Sequence, residues 1–310
     1  MNEINNEAFL IKNLKRLSEY SEKTNRARTR EKEDLSFIPV ILKRSDQAIR
    51  HPDDILENTI KEGEEQHHRS VISLLLSSMS AGMILGFAAM CVSLASLIFT
   101  KDQPFIYDRL ALALVYPLGF VVCVLSGTQL FTEHTATAVY PVLDKKSTVK
   151  SLLRVWAIVL IGNLIGTFVS SFLISLSNRI ITSGAGFLEI AMHFSSFSFG
   201  ETFGSAILAG WLMAQGGWLV YSTPPGSGQI ISIYIVTFII GLGGLHHSIV
   251  GSAELFSSML INGQPSVGAA TSTLIAAILG NTVGGSLFVA SLNYAHIKKT
   301  QKVNQTNQKR

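Results

Sequence analysis

This sequence predicts an all-α polytopic membrane protein. Six transmembrane helices form two inverted three-helix repeats, with helices 2 and 5 broken. Three observations predict this. Hydrophobic residues make up 47% of the 310 residues and charged residues only 15%, against about 25% charged in a soluble domain. The charges gather at the ends: residues 1–70 are dense in Lys, Arg, Asp and Glu, residues 71–297 carry few, and residues 298–310 are basic with no acid. Six apolar runs lie between those ends, each close to the ~20 residues that cross a bilayer as a helix.

The N-terminus, "MNEINNEAFLIKNLKRLSEY", has no apolar core and no small-residue cleavage site, so the first span is expected to act as its own targeting signal. That span runs from Ile72 to Phe99. The second starts near Leu110, stays apolar to Ser126 and meets the polar stretch "GTQLFTEHTATA" before "VYPVL". The third is Leu152 to Leu176, and the fourth about Thr202 to Tyr221. The fifth starts near Ile230 and meets "GLGGLHHSIVGSAELF", Gly241 to Phe256, about midway. The sixth runs from Gly268 to about His296.

Loop charges orient the spans. An even number places both tails on one side, and Lys145, Lys146, Lys150 and Arg154 cluster in a connection on that side. The opposite connections hold only Lys101, Arg109 and Arg179. Cationic loops stay in the cytoplasm, so both termini are expected there, with the chain in the inner (plasma) membrane. The pI of about 9.0 comes largely from the tails. The N-terminal segment mixes its bases with as many acids, which argues for the membrane face and against nucleic acid. Cys91 and Cys123 both fall in apolar runs and read as small packing residues.

A repeat is visible inside the six spans. "IGNLIG", Ile161 to Gly166, sits in the third and "LGNTVG", Leu279 to Gly284, in the sixth. The interval from Gly127 to Asn163 nearly equals that from His247 to Asn281. Three spans per half is odd, so the halves must lie in opposite orientation, and inverted repeats with paired broken helices are a signature of transporters and channels. Gly82 and Gly86, Gly162 and Gly166, and Gly280 and Gly284 each sit one turn apart on one face, which lets helix backbones approach closely. Asn163 and Asn281 are expected to hydrogen-bond across those contacts, in preference to touching a substrate.

The breaks hold the candidate chemistry. Backbone freed from helical bonding inside a membrane must be buried in protein or face a wet cavity, and half-helix N-termini there attract anions. The first break holds Gly127, Thr128, Gln129, Thr132, Glu133 and His134 around Leu130 and Phe131, an apolar pair that reads either as a plug or as ordinary packing. The second holds Gly243, Gly244, His246, His247, Ser248, Gly251 and Ser252. An ionisable residue deep in a span is a functional candidate by default. A histidine with no fixed carboxylate partner can change charge in response to the ion it meets. Adjacent histidines on a helix point about 100° apart, so His246 and His247 are poorly placed to share a metal ion, and no cofactor is expected. His246 either adds a charge beside His247 as pH falls or faces a neighbouring helix and packs. Glu254 lies about two turns beyond His247 on a similar face, either as a neutral acid or paired with another helix. Ser198 and Glu201 fit a capping box opening the fourth span. Arg154 is expected to reach the cytoplasmic surface.

These motifs carry a resemblance. "GTQLFTEHTATAV" and "GLHHSIVGS", with "GNLIG" and "GNTVGG", resemble the formate/nitrite transporter family, in particular its YfdC-like branch, from about Ile55 to His296. The resemblance implies an aquaporin-like fold, assembled as a homopentamer with one pore per protomer, that moves small monovalent anions such as formate, nitrite or short carboxylates. It matches Leu130, Phe131 and Thr132 to the loop that breaks the second helix, His247 to the central pore histidine, and Asn281 to the sixth-helix asparagine. There are departures: His246 stands where formate channels have an acid, Gly251 where they have Asn, and no lysine occurs between Lys150 and Lys298, where many members place one before the fourth helix. The outer side is therefore expected to carry a weaker positive field.

The function this implies is a channel or proton-coupled transporter for a small monovalent anion or its weak acid, and not an enzyme. Its pore residues would be His247, Thr132, Leu130, Phe131, His246, Asn281, Ser248 and Glu133. The weak acid would take its proton with His247, directly or through water, and cross the apolar ring neutral. Two rivals are a neutral-solute pore, which the absence of Asn-Pro-Ala from both breaks weakens, and a non-transporting membrane sensor or scaffold.

Overall fold

Within lipid every backbone N–H and C=O has to be satisfied by the chain itself, so the apolar runs fold as helices. The structure, a computed structural model, describes residues 51–98 and 105–308, and those residues are helices and short connections. Expectations for residues 1–50, for Lys101 and for residues 309–310 lie outside the described residues.

The order is α1 Pro52–His68, α2 Val71–Ala95, α3 Phe105–Val115, α4 Pro117–Leu125, α5 Phe131–Thr137, α6 Tyr140–Leu143, α7 Val149–Leu176, α8 Asn178–Ile181, α9 Gly184–Phe194, α10 Phe199–Ser222, α11 Ser227–Gly243, α12 Ser248–Asn262 and α13 Val267–Val283, followed by a π-helical stretch Gly284–Ser291 and α14 Leu292–Gln308. Five runs are long and apolar enough to span a membrane: Val71–Ala95, Ile106–Leu125, Val149–Leu176, Phe199–Ser222 and Val267–Val303. The α11–α12 pair makes a sixth, bent by 55° at the break.

Four of the spans start at a hydroxyl cap. Ser70, Thr148, Ser198 and Ser266 each accept a bond from the backbone N–H three residues on, which pairs one of the donors a helix start leaves open. Ser198 and Glu201 form the reciprocal capping box that the sequence suggested.

Helix α2 packs along α7, and α10 along α13. Both pairs are in backbone contact, and glycines make that possible. A β-carbon at Gly82 would run into the carbonyl of Asn163, and one at Gly210 into the backbone of Asn281. Large apolar side chains such as Phe87, Leu153, Ile161, Phe172 and Leu208 are exposed, as a lipid-facing surface requires. Small residues fill the contacts inside.

Two elements go beyond the sequence reading. Residues 52–68 form a helix that packs against α5, α6, α10 and α14. The last span also continues as helix through the basic residues to Gln308, because Lys and Gln are good helix formers and an existing helix extends at little cost.

Arg154 is half-buried near the start of α7. Its guanidinium donates to the carbonyls of His67, at 3.2 Å, and Arg69, at 2.9 Å. These are unpaired carbonyls at the end of α1, where a cation is favoured. His67 is buried in the same corner. Its Nε2 is 2.8 Å from the Ala138 carbonyl, and its Nδ1 lies 2.7 Å from the Ser151 hydroxyl and 2.8 Å from that of Ser147. This pattern is that of a neutral ring, and burial lowers the tendency of His67 to protonate below the ordinary histidine value. The seating of α1 should thus be fully stable above the ordinary pKa near 6.5 and weaken as pH falls through the lowered value in the folded chain. Limited proteolysis of α1 between pH 7.5 and 5 checks this. Protection should fall in the wild type, and His67→Gln should flatten the pH dependence.

Candidate pore site

The two chain breaks share one construction. The first follows α4: Gly127 turns the chain at φ 66°, and Leu130 is extended before α5. Asn163 of α7 fastens it. Its Oδ1 accepts from the Phe131 N–H at 2.8 Å, and its Nδ2 donates to the carbonyls of Gln129, at 2.9 Å, and Ser78, at 2.8 Å. The second break follows α11: Gly244 turns the chain at φ 57°, and His247 is extended before α12. Asn281 of α13 fastens this one in the same way. Its Oδ1 accepts from the Ser248 N–H at 2.8 Å, and its Nδ2 donates to the carbonyls of His246, at 3.0 Å, and Ala206, at 2.8 Å. Each asparagine pairs the backbone groups its break frees from helical bonding, and adds a second donor to a helical carbonyl, Ser78 or Ala206. Both therefore hold backbone, as expected, and Asn281 serves the site by fixing the break.

The sequence stretches of the breaks are longer than the breaks themselves. Thr132, Glu133 and His134 lie in the first turn of α5, and Ser248, Gly251 and Ser252 lie on α12. The helices resume this early because the asparagines satisfy the first backbone donors.

Leu130 and His247 occupy equivalent positions, each directly before the helix that follows its break. His247 caps α12 with its own ring: Nδ1 accepts from the Val250 N–H at 3.2 Å. An accepting nitrogen carries no proton, so the ring's proton sits on Nε2. Nε2 in turn lies 2.9 Å from the Thr132 hydroxyl and donates to it. This is the cross-break contact expected from the sequence. His247 is 1% exposed and Thr132 and Leu130 are 0% exposed, with Phe131 beside them, so the junction is closed and dry.

His246 points elsewhere. In extended backbone successive side chains take opposite sides, and the two histidines do so here. His246 Nδ1 lies 3.0 Å from the Ser205 hydroxyl and Nε2 is 3.0 Å from the Phe194 carbonyl. Its ring packs 4.4 Å from that of Phe194. Both ring nitrogens of His246 are thus engaged by groups of α9 and α10. Glu133 leans on Gly217 of α10. The Ser248 hydroxyl is buried with no hydrogen-bond partner among the described residues. Those residues contain no group of three or more His, Cys, Asp or Glu side chains placed to hold a metal ion.

Beyond the junction, a cavity of about 490 Å³ opens between α3, α9, α11, α12 and the end of α2. Asp108, Arg109, Tyr116, Glu189, His193 and Glu254 line it. Tyr116 also starts an aromatic path inward. Its ring centroid is 5.2 Å from that of Phe120, which meets the His247 ring edge-on at 5.0 Å. Sequence reasoning missed both, because an aromatic in an apolar run looks like any other core residue.

It also misplaced Arg109. Counted there as a loop cation, Arg109 stands on α3 in the cavity wall, with Nη2 3.2 Å from His193 Nε2. Its guanidinium covers Gly244, where any β-carbon would strike Nη1. The left-handed φ of 57° at Gly244 is what calls for glycine, and a side chain there would push the guanidinium aside. No lysine is present here, but a guanidinium is built into the wall, beside the carboxyls of Asp108, Glu189 and Glu254.

A helical membrane bundle with a broken span bent over a closed polar junction, and a cavity leading to it, belongs to the class of membrane channels and transporters. Residues 53–295 match the formate/nitrite transporter family, and the chain belongs to it. It is 30% identical over 260 residues to the inner membrane protein YfdC of Escherichia coli (strain K12), an alignment spanning 79% of this chain and 78% of that protein. The fold is that of solved channels. An FNT family ion channel superposes with a TM-score of 0.73 at 17% identity, covering 79% of this chain and 99% of the other. A pentameric formate channel with formate bound gives 0.62 at 21% identity, covering 73% and 97%.

Proposed function

We propose that this multi-pass membrane protein is a channel or proton-coupled transporter for a small monovalent anion or its weak acid. It works as a homopentamer in the inner membrane with both termini cytoplasmic, and the cavity forms its outer vestibule. Family membership supports the substrate class. The bound formate and pentameric assembly of a structural neighbour support the assembly and the size of the permeant.

One observation carries the mechanism: the Nε2–H of His247 donates to Thr132 Oγ1. The Thr132 hydroxyl proton then remains as a donor for an anion at the junction. A small, weakly hydrated anion gains that bond together with the positive end of α12, while Leu130, Phe131 and Phe120 exclude larger solutes. Flux of formate, nitrite and acetate into proteoliposomes tests this reading. Urea or glycerol flux without anion flux would favour a neutral-solute pore, and no flux at all would favour a non-transporting scaffold.

Arg109 gathers anions into the vestibule by its charge, an effect that can change encounter rates by about 10-fold or more in a low-dielectric cleft. Arg109→Gln should therefore raise the apparent KM for anion uptake by about 3-fold or more at low salt, with the difference shrinking at high salt. An unchanged KM at low salt would remove Arg109 from the uptake path.

A further inference from the structure

The junction leaves the source of the permeant's proton unassigned. His247 carries its proton on Nε2 and accepts a backbone N–H on Nδ1. To take up a further proton it has to release the cap of α12 and place a positive charge at that helix's positive end. A neutral acid therefore needs another donor on the way in.

The vestibule contains a candidate. Glu254 stands on α12 in the cavity wall at 6% exposure, and no described residue gives it a hydrogen bond or an ion pair. Gly251, one turn nearer the break, has the Phe194 ring in the place of a side chain. Glu254 is thus a buried carboxyl in the cavity wall, one turn along α12 from the residue that the ring covers. The other groups facing the cavity are Asp108, Arg109 and Tyr116 from α3 and the turn after it, and Glu189 and His193 from α9. Helix α7 presents Thr167, Ser171 and no titratable group to α12. Helix α13 has no titratable residue, and α5 brings Glu133 and His134 toward the inner end of α12. Apart from Asp108, which is half-buried with one unpartnered oxygen, the cavity carboxyl other than Glu254, Glu189, is exposed.

We propose that Glu254 is the proton donor that converts the conjugate base of a weak acid, a short carboxylate or nitrite, to its neutral acid in the vestibule. The proposal rests on the transport reading above and names its proton path. Arg109 holds the anion X⁻. The O–H bond of the Glu254 carboxyl breaks and an H–X bond forms. HX crosses the apolar junction, and the carboxylate left behind shares the cavity with Arg109 until a proton returns from outside. One X⁻ and one H⁺ enter together, with no net charge moved.

The test uses the full-length protein in liposomes loaded with a pH-sensitive dye, with formate as the probe. Formate uptake and internal acidification are followed together, and protein-free liposomes supply the background for acid crossing the lipid. In the wild type, acidification should match formate uptake one to one. Glu254→Gln, assembled normally on size exclusion, should lose coupled acidification by about 10-fold or more, within the range a positioned proton donor contributes. Glu254→Asp should restore part of it. Should the Gln variant fail to assemble, Glu254→Asp alone decides, through a shifted pH profile of coupled uptake. Coupled uptake in Glu254→Gln equal to the wild type overturns the proposal. So does its loss in Asp108→Asn instead, or wild-type uptake that brings in no protons. A wild type that moves none of formate, nitrite and acetate overturns the transport reading itself, a separate and recognisable failure.

Discussion

His247→Phe should reduce flux by about 10-fold, the equivalent of one hydrogen bond lost to the permeant in transit. Phenylalanine keeps the bulk but supplies neither the Nε2–H that orients Thr132 nor the Nδ1 that caps α12. Losing the cap should also cost ~1 kcal/mol of stability. His247→Asn separates the two roles, since Asn is a good helix cap but too short to reproduce the imidazole bridge. The Asn variant should melt close to the wild type and still conduct poorly. Proteoliposome flux alongside thermal unfolding in detergent measures both, and full flux in either variant would sink the role assigned to the ring.

The second large effect is structural. Asn281→Leu should leave the Ser248 N–H and the His246 carbonyl unpaired, and take the second donor from the helical carbonyl of Ala206. Each unpaired buried group costs about 1–3 kcal/mol, and together they approach the 5–15 kcal/mol that keeps a typical protein folded. The expected result is failure to accumulate as a well-behaved assembly, seen as aggregation on size exclusion. Asn163→Leu should do the same, because its three bonds fall on equivalent atoms of the first break. If either variant melts like the wild type, the asparagines do not hold the breaks.

The sequence made much of this visible for definite reasons. Spans are legible because hydrocarbon demands long apolar runs. The pairing of Asn163 with Asn281 is legible because glycines flank both at the same spacing, and the Thr132–His247 contact because a polar residue at membrane depth needs a partner. What stayed hidden depends on direction. Linear order gives no sign that Arg109 turns back over Gly244, or that Tyr116 and Phe120 line the way to His247 while Phe87 faces outward. The divergence of His246 and His247 comes from extended backbone, whereas helical spacing was assumed for both. Arg154 finds the end of α1 only because α1 folds onto the bundle, and a charged stretch ahead of the first span does not announce that.

The paired breaks have a consequence of another kind. Leu130 and His247 take up nearly the same backbone angles, φ −103° with ψ 126° and φ −97° with ψ 119°. Each precedes a short helix held by an asparagine. One mould has been filled twice, once with a hydrocarbon side chain and once with an imidazole. The backbone at the two breaks nearly matches, yet the side chains there do not. On the transport reading proposed above, a permeant arriving from one mouth would meet different chemistry first than one arriving from the other, so the likeness of the two breaks would impose no equality on inward and outward conductance. Rectification would then be written in two side chains, where it could evolve without disturbing the architecture.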